Sequence, residues 1–287
     1  MPLRASRDRR AAFPFERSTT TMLTAATPCD FLTDLFGLVG RTAVVIGGTG
    51  VLGGAIADTL ARAGATVVVV GRDADAGAIA VERIKKHGGA AEYYKADVTV
   101  RADLEALVEK LENEGRVCDI LVNGAGVNSP TPFLEISDEE WDRIFTVNLK
   151  AVRVACQVFG QEMIEGGVHG SIINIASLSA ITPLSRVFTY SSSKAAVLNL
   201  TLNLAREWAP HGIRVNAMSP GFFPAEQNRK VLTADRQAKI LGHTPMNRFG
   251  DAPELAGATL LLASNKAGSF ITGANLVVDG GFMAQTI

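Results

Sequence analysis

Short runs of aliphatic and β-branched residues alternate along this chain with longer stretches in which apolar side chains return every three or four positions. The first run, Thr42 to Ile46, predicts a strand, and Val51 to Ala63 behind it predicts a helix. The pattern repeats. Strand Thr66 to Val70 leads to helix Ala74 to His87, and strand Ala91 to Ala96 to helix Arg101 to Glu114. Strand Asp119 to Asn123 precedes a long helical pattern, Asp138 to Glu165, opened by the capping signal Ser137-Asp138-Glu139-Glu140. Strand Ser171 to Ile175, helix Tyr190 to Trp208, strand Arg214 to Ala217, a helix near Pro253 to Ala263 and strand Asn275 to Val278 complete the series. The polar stretch from Phe222 to Arg248 is assigned no element. Strands that are apolar throughout, each followed by a helix, imply a parallel sheet covered on both faces. The expected fold is α/β, a single doubly wound Rossmann-type domain of about seven strands over residues 36–287.

Composition narrows the function classes. With 287 residues, 47% hydrophobic and 20% charged, the chain suits one large domain with a substantial core. A formal net charge of -1 gives no footprint for nucleic acid or an acidic membrane. The apolar runs are too short and too broken for a transmembrane helix. Cys29, Cys118 and Cys156 lie far apart without CxxC spacing, which points to a reducing compartment, the cytoplasm. His87, His169, His211 and His243 show no metal-ligand spacing, and no metal is expected. Residues 1–35 differ from the rest: five arginines (Arg4, Arg7, Arg9, Arg10, Arg17) and many Ser/Thr predict a flexible N-terminal arm, with Met22 a second candidate start.

Three motifs carry chemistry. Gly47-Gly48-Thr49-Gly50-Val51-Leu52-Gly53 follows the first strand and opens the next helix, with GxGxxG at Gly48, Gly50 and Gly53. Glycines there let the backbone turn sharply and approach a pyrophosphate, whose charge a helix N-terminus favours. The second strand ends Val70-Gly71-Arg72-Asp73. An acid at this point selects a free ribose, and an arginine accommodates a 2′-phosphate. Gly71 in the acid's place and Arg72 after it favour NADP(H), with NAD(H) kept open by Asp73. Finally, Tyr190 and Lys194 stand four apart at the start of a predicted helix, with Ser177 thirteen residues upstream. An ammonium beside a phenol lowers its proton affinity toward the working range, and a nearby hydroxyl holds a substrate oxygen against it.

With these residues in place, the chain from about Phe36 onward resembles the short-chain dehydrogenase/reductase family. Asp97-Val98 matches the family's adenine-contacting pair, Asn123-Gly124-Ala125-Gly126 its NAG segment, and Pro220-Gly221, with Phe223, the turn beside the nicotinamide. Asn148, Ser177, Tyr190 and Lys194 match its catalytic set. The resemblance implies oxidation of an alcohol or reduction of a carbonyl, with Tyr190 moving the proton and Lys194 also bonding the nicotinamide ribose. Ser177 would orient the reacting oxygen, and Asn148 would hold a water that relays protons. It also implies a homo-oligomer, a dimer or tetramer, with the long helices near 138–165 and 190–208 pairing between subunits. The chain departs from the pattern at Ile46, where Thr is usual, at Val51, where Gly is usual, and at Ala225, where Thr is common.

Segment 220–250 would choose the substrate, since it crosses the open end of the sheet. Glu226, Gln227, Asn228, Arg229, Lys230 and His243 suit a polyhydroxylated carboxylate, with Asn128, Ser179 and Arg186 as further candidates. GFF-x-x-EQNR and HTPM-x-RFG resemble the D-mannonate oxidoreductase (fructuronate reductase) group. Arg248 is expected to serve loop packing. A 3-oxoacyl-carrier-protein reductase and a non-catalytic cofactor-sensing or scaffold protein are the competing readings.

Overall fold

The computed structural model describes residues 27–224 and 233–285. Seven strands form one parallel sheet in the order β3-β2-β1-β4-β5-β6-β7. They are β1 Thr42–Ile46, β2 Thr66–Gly71, β3 Ala90–Lys95, β4 Ile120–Asn123, β5 Ser171–Ile175, β6 Arg214–Pro220 and β7 Asn275–Val278. The order reverses between β1 and β4, which leaves a crevice beyond the carboxyl ends of those strands. β1, β4, β5 and β6 are buried along their whole length, whereas the edge strands β3 and β7 are partly exposed.

Helices cover both faces. Val44 on β1 packs with Leu104, Leu107 and Leu111 of α4 (Arg101–Asn113) and Phe159 and Met163 of α6 (Ala151–Glu165). The next residue, Val45, points the other way. It joins Ile56 and Leu60 of α2 (Val51–Arg62), Ile84 of α3 (Ala74–Lys86) and Leu262. Alternate strand side chains thus feed two separate cores, the pattern expected of a sheet buried on both sides.

Four features depart from the sequence pattern. Residues 28–35, expected within the flexible arm, lie in helix α1 (Pro28–Phe36), which a Thr27–Asp30 capping box opens. An ion pair between Asp34 and Lys266, and a 2.6 Å bond from Ser264 Oγ to the Leu35 carbonyl, tie α1 to the domain. The long pattern 138–165 is α5 (Asp138–Phe145), a π-helical turn (Thr146–Lys150) and then α6. Helix α7 (Phe188–Trp208) starts two residues before Tyr190. Within the polar stretch lies α8 (Ala234–His243), capped by the Thr233 hydroxyl, which accepts from Arg236 N. Its only buried residue is Ile240, so hydrophobic periodicity had little to report. The ninth helix among the described residues, α9 (Ala256–Ala263), returns the chain to β7.

Glu162 on α6 is a carboxylate within the core. Its Oε1 accepts from Cys118 N at 3.2 Å, while Oε2 has no partner among the described residues. Burial pushes its pKa from 4.5 up to about 7. A raised carboxyl costs nothing below about pH 4.5, and the penalty grows until it is complete above about pH 7. Glu162→Gln should therefore leave urea stability unchanged at pH 4.5 and raise it by about 1–3 kcal/mol at pH 8. Equal effects at both pH values would show that Glu162 is already hydrated.

Candidate active site

The turn after β1 is built for close approach. Gly47 has φ +77°, and a Cβ there would stand 2.7 Å from Ala125 N. A Cβ at Gly53 would overlap the Gly47 carbonyl. Main-chain bonds hold the turn, with Gly47 N on Val70 O at 2.9 Å and Gly50 N on Gly47 O at 3.0 Å. Ile46, where the family commonly has Thr, instead enters the core, 3% exposed. Gly50 caps α2 without a side-chain bond, so the first N–H groups of that helix are left to an anion. Val51 occupies the first helical position, where no glycine is required.

A 250 Å³ cavity runs from this turn past Thr49, Gly71, Arg72, Asp97, Val98 and Gly124 to Gly126. Asp97 Oδ1 accepts from Thr99 N and Oγ1 at 2.9 and 2.7 Å, and these bonds hold its carboxyl below the usual range. Asp73 caps α3, accepting from Asp75 N and Ala76 N at 3.0 Å. Thr49 sits over Gly71, its Oγ1 3.0 Å from where a Cβ would be. Glycine-lined space, bare helix N–H groups and an arginine at the far end suit a dinucleotide.

A second cavity of 580 Å³ continues from Gly47 and Gly53 to Ser177, Ser179, Tyr190, Lys194, Pro220, Gly221 and Phe223. Lys194, on α7, is 3% exposed. Its Nζ donates to Ile175 O at the end of β5, 2.7 Å away, and burial draws its pKa from 10.5 down to about 8. Nζ lies 5.8 Å from the centre of the Tyr190 ring. The phenol differs from expectation: burial raises its pKa, and a hydrogen bond with Ser177 only partly opposes this. Desolvation is the largest cause, and the ammonium, which lies over the ring face, does not reverse it. The Ser179 hydroxyl donates to Ser177 Oγ at 3.1 Å, so the two serines form one polar wall.

Asn148 lies in the π-helical turn, fully buried. Its Oδ1 accepts from Val127 N at 2.8 Å, and its Nδ2 donates to Val127 O and Ser193 Oγ at 2.9 and 3.0 Å. The side chain thus locks the loop after β4 to α7, which leaves only a second Oδ1 lone pair for a water. The interruption in the helix places a polar side chain where a continuous α-helix would turn it away.

The structure separates four expected residues from the lining of the cavities: Asn148, engaged with Val127 and Ser193, and three others. Asn123 turns into the core, donating to Asn174 Oδ1 at 2.8 Å, because alternate residues of β4 face opposite sides; only Gly124, Ala125 and Gly126 of its segment reach the cofactor cavity. Arg186 is exposed at φ 61° and does not line the cavity. His243 is exposed at the end of α8, its ring 4.4 Å from Phe282. Asn128 and Ser179 do line the cavity. Ala225, Glu226, Gln227, Asn228, Arg229 and Lys230 lie outside the described residues. Arg248 grips Glu254 through two bonds of 2.7 and 2.6 Å, as loop packing requires. Arg236 is the charged lining residue that the sequence pattern passed over. Reading Thr233 as a helix cap would have placed Arg236 and Ile240 on one inward face.

A family model described as enoyl-(acyl carrier protein) reductase matches residues 49–283. The chain is 40% identical to galactitol 2-dehydrogenase of Rhizobium johnstonii over 252 residues, 86% of this chain and 96% of that one. A gluconate 5-dehydrogenase from Burkholderia cenocepacia, solved with NADP and tartrate, superposes with TM-score 0.83 at 34% identity, covering 88% and 99% of the two chains. A candidate D-mannonate oxidoreductase from Haemophilus influenzae with bound NAD gives 0.83 at 32% identity, covering 89% and 99%. The chain belongs to the short-chain dehydrogenase/reductase family and is an NAD(P)-dependent oxidoreductase.

The cradle makes a direct prediction. Gly53→Ala must push the Gly47 carbonyl aside and should weaken NADPH binding at least tenfold, with the melting temperature little changed. Fluorescence titration measures the first and calorimetry the second; undiminished affinity would show that the turn yields without cost.

Proposed function

We propose that the enzyme interconverts a hydroxyl and a keto group on a sugar acid of the gluconate or mannonate type, with NADP(H) preferred. The observation that carries the reading is the 580 Å³ cavity, in which Tyr190 and Ser177 share a wall with Ser179, Asn128 and a guanidinium. Hydrogen-bonding groups of this kind match a polyhydroxylated chain with one ionised end, and the related gluconate dehydrogenase holds tartrate. The galactitol dehydrogenase relative supports a second reading, an uncharged polyol.

Nicotinamide, when bound, supplies the hydride chemistry. The chain's own groups manage the proton. Burial keeps Tyr190 protonated, so in reduction its Oη gives a proton to the substrate oxygen that Ser177 Oγ orients. In oxidation the phenol must ionise, and the Lys194 ammonium opposes the cost of burying that charge. Asn148 acts by position, fixing Val127 and Ser193 beside the lysine. Gly47, Gly50, Val51, Leu52 and Gly53 line the pyrophosphate end.

The cofactor preference rests on Arg72. Asp73 spends a carboxylate oxygen on its own helix, and Thr49 crowds the place where a ribose-selecting acid would stand. The free thiols Cys29, Cys118 and Cys156 support a reducing, cytoplasmic setting. Exposed Phe133, Trp141 and Phe188 support pairing of α5 and α7 between subunits of a dimer or tetramer.

Two experiments test these assignments. Tyr190→Phe should lower kcat on 5-keto-D-gluconate or D-fructuronate at least a thousandfold while NADPH still binds; full activity would remove the phenol from the reaction. Arg72→Ser should raise the Kd for NADPH about tenfold and leave NADH unchanged. Parallel losses with both cofactors would assign Arg72 to the adenine side rather than to a 2′-phosphate.

A further inference from the structure

Two residues lining the 580 Å³ cavity carry charge, Lys194 and Arg236. Lys194 is enclosed and donates to the Ile175 carbonyl, so it does not project toward a substrate. Arg236 is half-buried in the first turn of α8, and no carboxylate pairs with it among the described residues. Its Nη1 donates to Ser185 Oγ at 3.2 Å. Ser185 belongs to the loop that contributes Leu184 and Val187 to the cavity and then enters α7 just before Tyr190. The guanidinium therefore bridges α8 to that loop on the Tyr190 side of the cavity, away from the glycine turn after β1.

We infer that Arg236 determines specificity by binding the carboxylate of the substrate, with Ser185 holding the guanidinium in place. This rests on the sugar-acid reading of the same cavity. An arginine fork meets a carboxylate through two parallel bonds, and each charge-assisted bond is stronger than a neutral one. A polyol of the same length has a hydroxymethyl group at that end and loses the ionic part of the interaction. Charge is thus recognised at one end of the substrate while Ser177 and Tyr190 address the reacting oxygen. The distinction between sugar acid and polyol then lies in one side chain, not in the cofactor cradle.

The test compares each keto acid with its hydroxymethyl counterpart: 5-keto-D-gluconate with L-sorbose, and D-fructuronate with D-fructose. Wild type, Arg236→Gln, Arg236→Lys and Ser185→Ala are assayed with saturating NADPH, and NADPH affinity is measured separately. Arg236→Gln should lower the acid-to-neutral ratio of kcat/KM about 30-fold, mainly through KM for the acid. Arg236→Lys should restore part of the ratio, and Ser185→Ala should lower it less than Arg236→Gln does. A ratio unchanged in Arg236→Gln overturns the assignment. So does an equal fall for acid and neutral substrates together with weaker NADPH binding, which would place the guanidinium on the cofactor. If wild type reduces the neutral ketoses and none of the keto acids, the sugar-acid reading itself falls, and this is visible before any variant is made.

Discussion

A buried ammonium governs the geometry around it. Lys194 is enclosed on α7 with the Ile175 carbonyl as its hydrogen-bond acceptor, and an ion removed from water needs its surroundings arranged closely. Gly126 has no side chain, and a Cβ there would come within 3.5 Å of Nζ. The loop after β4 thus passes within van der Waals reach of the lysine. Asn148 secures it through paired bonds to Val127, and a third bond to Ser193 ties the same side chain to the helix that carries the lysine. The π-helical turn lets Asn148 face inward from between α5 and α6. Burial also explains why Lys194 and Tyr190 shift in opposite directions: each is pushed toward its neutral form, the ammonium downward and the phenol upward.

The site divides into a part made of main chain and a part made of side chains. Between β1 and β4, where strand order reverses, glycines, main-chain bonds and an open helix terminus form a cradle that any dinucleotide of this class can use. The reacting groups come from the end of β5 and the first turns of α7, whose relative placement is fixed by the sheet. The outer wall comes from the segments after β5 and after β6, where α8 packs through little more than Ile240. Rigid elements thus hold the proton-handling groups, and lightly packed ones face the substrate.

The same division decides what could be read from the sequence. Sheet strands were legible because most are short, predominantly apolar and β-branched runs, and six of the seven begin within one residue of expectation and end within one residue of it. The glycine turn and the Tyr190–Lys194 pair were legible because their chemistry demands fixed residue types at fixed spacing. Asn123 misled, since position in a motif does not reveal which way a strand residue points. Here it points to Asn174 and Cys156 in the core, not to the cofactor cavity. The π-helical turn left no trace in hydrophobic period because its flanks, α5 and α6, are each regular helices. α8 was hidden by a polar surface, although its Thr233 cap was a local signal. Long-range juxtaposition was the least legible link: nothing at positions 185 and 236 alone says that they meet.

Relatives acting on a polyol and on a sugar acid align along nearly the whole chain, at 40% and 34% identity. Substrate charge must then be managed by a few groups rather than by the fold. An anion entering a desolvated site would raise the proton affinity of Tyr190 further, since a nearby negative charge disfavours phenolate. A guanidinium paired with that anion cancels most of this field at the tyrosine. The phenol can then give up its proton when an alcohol is oxidised as well as hold it when a ketone awaits reduction. A cation at the mouth of the cavity would thus serve recognition and reversibility together, and it would do so without disturbing the buried lysine on which the geometry of the site depends.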